Sequence, residues 1–151
     1  MFLLRRRSDA DLATLVGWVP DAAALYLFTG PRLQWPLTAK QLADMEQIDG
    51  MTAWVLVDSA SSSPVGFFDL IVKHRLARLG RVIIDPQRRG QGLGHALVRF
   101  AIRQARQLGA TELTLNVIIG NDPAIRAYER TGFRSVPNAE RPDVQAMSLM
   151  L

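Results

Sequence analysis

Val82-Ile83-Ile84-Asp85-Pro86-Gln87-Arg88-Arg89-Gly90-Gln91-Gly92-Leu93-Gly94 leads from an apolar β-branched run, through a turn, into a glycine loop. Behind the loop, Leu93, Leu97, Phe100, Ala101, Ala105 and Leu108 fall on or near one stripe, while Arg99, Arg103, Arg106 and Gln107 face away from it. That spacing predicts an amphipathic helix from Leu93 to Leu108, and Gly109 supplies its stop. Leu113 to Val117 then reads as a strand. Strand, helix and strand in this order favour a parallel crossover. The loop between the first strand and the helix is an anion cradle. Its glycines allow close approach and unusual backbone angles. Successive N–H groups converge at a helix N-terminus, where the helix dipole also favours negative charge. Arg88 and Arg89 add cationic capacity, and a plain turn does not need Gly90, Gly92 and Gly94 so close together.

Working outward, Phe2 to Arg6 reads as a first strand. Ser8 and Asp11 then form a capping box for a helix that carries Leu12, Leu15, Val16 and Val19 and ends at Pro20. Tyr26 to Leu37 reads as irregular, because Gly30-Pro31 and Trp35-Pro36 interrupt it. Thr38 and Gln41 make a second capping box, opening a helix to about Ile48 that Asp49-Gly50 stops. Thr52 to Val57, Val65 to Val72 and Leu79 to Ile84 read as antiparallel strands, with a turn at Ser59 to Pro64 and a bend at His74 to Arg78. On the other side, Asn121-Asp122-Pro123 starts a helix that Gly132 ends. Phe133 to Val136 and Val144 to Leu149 read as a closing hairpin around Pro137 to Asp143. The expectation is one α+β domain over residues 1–151, a mixed, mostly antiparallel central sheet of about seven strands flanked by about four helices.

The bulk numbers agree with a single globular domain: 151 residues, 48% of them apolar. With no cysteine, disulfides, thiolate metal sites and a cysteine nucleophile are excluded, and a reducing compartment fits. No metal is expected. No apolar run approaches the roughly 18 residues of a membrane span, and Met1 to Arg7 does not have the order of a secretory signal, so a cytoplasmic protein with no membrane partner is expected. The net charge of +4 raises nucleic acid as a partner. The arginines are spread along the chain, however, and a phosphorylated small molecule explains Arg88 and Arg89 as well as DNA does.

Known phosphate loops discriminate further. A P-loop needs a lysine after its last glycine, and none follows Gly90, Gly92 or Gly94. The dinucleotide fingerprint needs a glycine at position 95, which is His95, and only Glu112 stands near the place of its acidic residue. Gln87-x-x-Gly90-x-Gly92 instead resembles the pyrophosphate loop of the GNAT N-acetyltransferases, Q/R-x-x-G-x-G/A. Downstream, Asn121 to Phe133, with Ala124, Tyr128 and Gly132-Phe133 in place, resembles the family's N-x-x-A-x-x-x-Y-x-x-x-G-F motif. Trp35-Pro36-Leu37-Thr38 with Gln41-Leu42 is similar to a bacterial subgroup of the family.

The resemblance implies a GNAT fold and transfer of the acetyl group of acetyl-CoA to a primary amine, on a small molecule, amino acid or peptide, directly within a ternary complex. It implies that the strand before the loop splays from its neighbour, with backbone groups of Val82, Ile83 and Ile84 bonding the pantetheine arm. Amides from Arg89 through Gly90, Gln91, Gly92 and Leu93 to Gly94 would hold the pyrophosphate, beside Arg88. Asn121 would bond the arm or simply cap its helix. Tyr128 would protonate the departing thiolate, or be a core tyrosine; Gly132-Phe133 reads as architectural. For the general base the candidates are Asp69 and Asn116; the asparagine cannot act as a base, so a water relay fits it, and Asp69 reads equally as a solvated strand residue. His74 and His95 read as surface residues. Tyr26, Phe28 and Trp35 either wall the acceptor pocket or are core residues. A homodimer is compatible with the resemblance, and nucleic acid is not expected as a partner. The alternatives are a non-catalytic acetyl-CoA-sensing or basic nucleic-acid-binding module, and transfer of a longer acyl group.

Overall fold

A computed structural model describes residues 1–138 and 141–151 of the chain. In chain order its elements are β1 (Phe2–Arg6), α1 (Asp9–Gly17), α2 (Ala22–Thr29), a 3-10 turn at Gly30–Arg32, α3 (Ala39–Met45), β2 (Met51–Asp58), β3 (Pro64–Lys73) and β4 (Leu76–Ile84). After a 3-10 turn at Pro86–Arg88 come α4 (Leu93–Gln107), β5 (Glu112–Ile118), α5 (Asp122–Arg130), β6 (Arg134–Val136) and β7 (Val144–Met150). The seven strands form one sheet in the order β1-β2-β3-β4-β5-β7-β6. Every pairing is antiparallel except β4 with β5, which α4 joins as a crossover.

Local chemistry explains most boundaries. In α1 the Ser8 N–H donates to Asp11 Oδ2 at 2.8 Å, and Arg5 grips the same carboxylate with bonds of 2.7 and 2.9 Å. In α3 the Gln41 N–H donates to Thr38 Oγ1 at 3.2 Å, while Gln41 Oε1 accepts from the Thr38 N–H at 3.0 Å. This reciprocal box satisfies two amides that have no partner inside the helix.

Three expectations need correction. Tyr26 does not begin an irregular stretch; it lies within α2, which makes five α-helices among the described residues rather than about four. Asp21 caps that helix by accepting from the Ala24 N–H at 2.8 Å, and the alanine-rich first turn favours helix until Gly30 turns to φ 64°. The breakers Gly30-Pro31 therefore end a helix instead of marking a loop. The bend expected over His74 to Arg78 is a tight turn at His74 and Arg75, with Lys73 paired to Leu76 and His74 at φ 57°. And α3 stops at Met45 rather than near Ile48.

The sheet is covered on both faces. Leu56, Phe68 and Leu70 pack with Leu97, Ala101 and Ala105 of α4. Val55, Val57 and Phe67 pack on the opposite side with Leu12 and Leu15 of α1, Leu25 of α2 and Leu42 of α3. Adjacent residues such as Leu56 and Val57, or Phe67 and Phe68, thus serve different cores, as the two-residue period of a strand requires. Each such fully buried side chain contributes about 1.5–3 kcal/mol.

One irregularity of the sheet positions the site. The parallel ladder pairs Leu76 with Glu112 through Leu79 with Leu115 and then ends, although β4 continues to Ile84 and β5 to Ile118. Beyond Leu79 the two strands separate, leaving the β4 edge without a partner on that side. At the fork, Arg81 and Val82 together oppose only Phe68, a β-bulge. Arg81 sits at φ 46°, costly for a residue with a side chain. Its guanidinium bonds the carboxylate of Asp69 in the interior, which helps to hold that conformation.

Candidate active site

The glycine loop lies at the open end of the fork. Gly90 and Gly92 adopt φ 81° and 76°, where a side chain would be strained. A Cβ on either would meet nothing within 4 Å, so open space faces both. Among the described residues, the main-chain N–H groups of Arg89 to His95 have no intramolecular partner. Such a run of unpaired donors at the start of a 15-residue helix is an anion nest. Gly94 brings α4 close to α5, where a Cβ would stand 3.9 Å from that of Ala127.

A cleft of about 820 Å³ runs from this loop into the fork. Val82, Ile83 and Ile84 line one wall; Arg88, Arg89, Gly90, Gly92, Leu93 and Gly94 line the loop end; Asn121 and Tyr128 line the α5 side. Gln91 is not part of the lining and lies beside Arg88, 3.4 Å from its Nε. Arg88 is also paired with Asp58 at 3.1 Å, so much of its charge is already balanced. The sequence reading missed Arg126 and Arg130, which face the same cleft from α5. Their four-residue separation downstream of Asn121 was the available signal. His95, expected at the surface, also lines the cleft, because the first turn of α4 faces α5.

Tyr128 is 6% exposed and meets Phe133 edge-to-face, with ring centroids 5.7 Å apart. Among the described residues its hydroxyl has no hydrogen-bond partner, and burial pushes its pKa well above the usual tyrosine range. Asn121 precedes α5 but its side chain makes no capping bond.

The candidate acceptor residues separate from one another. Phe28 lines the cleft and also a smaller cavity of about 80 Å³ on the β5 side of the fork. Asn116 lines that smaller cavity, where its amide oxygen, in the orientation that satisfies both ends, accepts from Arg78 Nη1 at 3.0 Å. Trp35 is 44% exposed and lines neither cavity. Tyr26 also lines neither; its hydroxyl donates to Asp143 Oδ2 at 2.7 Å. Asp69 is not the solvated strand residue that its polarity suggested. It is 1% exposed, bonded to Arg81, and 3.0 Å from the equally buried Arg7, whose other contact is Glu46 at 2.8 Å. The alignment with Arg7 falls short of a hydrogen bond, so that contact is coulombic. Asp69 also lines neither cavity, so its carboxylate, engaged by two guanidiniums, is not placed to meet a substrate amine.

A splayed parallel pair with a donor-rich glycine loop at its mouth is what the sequence resemblance demands, and residues 22–133 match the Acetyltransferase (GNAT) family. The chain belongs to that family. It is 29% identical to the glucosamine 6-phosphate N-acetyltransferase of Trypanosoma brucei brucei, covering 93% of this chain and 95% of that protein. It is 34% identical to the uncharacterized N-acetyltransferase MJ1207 of Methanocaldococcus jannaschii, over 51% of this chain and only 37% of that protein. The spermidine N-acetyltransferase of Vibrio cholerae, solved with CoA and spermine, superimposes with a TM-score of 0.80 at 20% identity, over 99% of this chain and 95% of that one. That likeness establishes a GNAT fold. Among the described residues no helix is long and apolar enough to cross a membrane.

Proposed function

We propose that this GNAT chain is an acetyl-CoA-dependent N-acetyltransferase acting on a primary amine by direct transfer in a ternary complex. The observation that carries the reading is the run of unpartnered amides from Arg89 to His95 at the mouth of the forked strands. The chemistry of that donor set fits a diphosphate, and Arg89, Arg126 and Arg130 add positive charge around it. The free edge of Val82 to Ile84 fits an extended amide-bearing arm, as an added strand would. Bound acetyl-CoA would supply an acetyl thioester at the fork.

This chain's residues then have three tasks. Asn121, with no capping duty, is free to bond the arm. Tyr128, kept protonated by burial, would give its proton to the departing thiolate as the amine nitrogen bonds the acetyl carbon and the C–S bond breaks. The amine proton leaves through water, from which the Tyr128 phenolate regains a proton, since Asp69 is committed to Arg81 and Arg7. Backbone N–H groups on the free β4 edge are suited to stabilise the developing oxyanion.

The test joins calorimetry with coenzyme A to a thiol-release assay of acetyl-CoA against amines, amino acids, amino sugars and short peptides. Uptake of the coenzyme with amine-dependent thiol release is expected. Uptake without release from any amine would favour a sensing module, and no uptake at all would remove the assignment.

A further inference from the structure

The small cavity beside the fork has an unusual charge balance. Arg32 reaches it from the 3-10 turn after α2, Arg78 and Arg81 from β4, and Arg141 from the segment before β7. Among the described residues no aspartate or glutamate lines it. Two of the four guanidiniums are balanced from behind: Arg81 by Asp69, and Arg141 by Asp143 at 3.0 Å, a carboxylate that Tyr26 also bonds. Among the described residues Arg32 and Arg78 have no carboxylate partner, and Arg78 has only the neutral amide of Asn116. Arg141 stands so close that a Cβ on Gly30 would lie 3.3 Å from its Nη2. Crowding like charges is costly. The Arg32 guanidinium is held below its usual range first by burial, then by repulsion from Arg81, Arg78 and Arg141. Arginines serving only solubility would spread apart; these converge from three separate stretches of chain.

The cavity also opens on the reaction path. Gly80 and Arg81, at the bulge, and Asn116 and Ile118, on the diverging β5, are part of its lining. Leu27 and Phe28 belong both to it and to the coenzyme cleft. Resting on the acetyltransferase reading above, we propose that the acceptor is an amine that carries a carboxylate or phosphate, and that Arg32 and Arg78, supported by Arg81 and Arg141, bind this anionic group while its amine points to the fork. The planar guanidinium fork matches either anion with paired hydrogen bonds, and about 80 Å³ suits a small headgroup. The same lining disfavours an ammonium, so it repels polyamines and shifts a bound amine toward its neutral, nucleophilic form. That removes part of the need for a carboxylate base.

The experiment compares matched acceptors in the thiol-release assay: amino acids with their amides, glucosamine 6-phosphate with glucosamine, and spermidine as a cation. An acid-bearing amine is expected to exceed its neutral partner in kcat/KM by about tenfold or more. Arg32→Gln and Arg78→Gln should each raise its KM by about tenfold, leave the acetyl-CoA KM and the melting temperature nearly unchanged, and shrink the preference for acid over amide. The carboxylate and phosphate arms distinguish the two anion sources. Equal use of acid and neutral partners, preference for spermidine, or an unchanged acceptor KM in both variants would overturn the inference while leaving the coenzyme site intact. Failure to take up coenzyme A would overturn both.

Discussion

Tyr128 and Asp11 show how far a single side chain can be read. Tyr128 was legible from its place in the Asn121-to-Phe133 motif, but its buried ring and unpartnered hydroxyl belong to the fold. Tyr128→Phe is expected to lower kcat by about 10²-fold with little change in melting temperature; unchanged single-turnover rates would remove the hydroxyl from the chemistry. Its raised pKa means that the phenol's contribution to stability is intact below about pH 10, the value of a free tyrosine, and is lost as pH rises beyond it. Asp11 has the opposite sign. Burial, the largest influence, raises its pKa, but the bonds from Arg5 and Ser8 together outweigh burial and hold it below the usual range. Its contribution is present above about pH 3.9 and is lost as pH falls through the lower folded value. Asp11→Asn should cost about 1–3 kcal/mol at neutral pH and flatten the acid limb of a urea-denaturation pH series. The burial of Asp69 was not legible. It depends on Arg81, twelve residues away across a bulge, and on Arg7 from the first strand's end.

Elements with a local cause were read correctly: the two capping boxes, the stripe of α4, and the proline start of α5. The one helix missed, α2, has an aspartate cap and three alanines, signals that were outweighed by the breakers beyond its end. The fork between β4 and β5 was expected from resemblance rather than from residues, because the point at which two strands part depends on a bulge that no local pattern marks. The glycine loop permits a sharp test at this scale. At Gly92 space is open but φ is 76°, so Gly92→Val suffers backbone strain rather than a clash. It should cost about 1–3 kcal/mol of stability and, by re-aiming the amides, weaken coenzyme A binding about tenfold or more by calorimetry. Full-strength binding in a folded variant would exclude the loop as the diphosphate nest.

For the whole molecule, strand succession and the mixed sheet were legible from length, turn spacing and the single crossover. The two arginine sets were not. Arg126 and Arg130 join the loop only through packing of α5 on α4, and Arg32, Arg78, Arg81 and Arg141 meet only once the sheet is complete. The net charge of +4 thus conceals two local concentrations. Coenzyme A at 100 times its Kd should stabilise the fold by about 2.7 kcal/mol, raising the melting temperature by roughly 5–10 °C for a chain of this size. The rise should shrink in about 1 M salt, where screening acts over about 3 Å. A shift insensitive to salt would argue against the cationic rim.

Among the described residues, Leu27 and Phe28, neighbours on α2, are the two common to both cavities. They stand as a party wall with a chamber on either side, so the proposed coenzyme and acceptor sites are expected to fill independently, and initial-rate kinetics should show no obligatory sequence of arrival. Inhibitor chemistry can exploit this arrangement: a conjugate that straddles the wall, coenzyme on one side and acid-bearing amine on the other, would hold each half at the local concentration set by its tether.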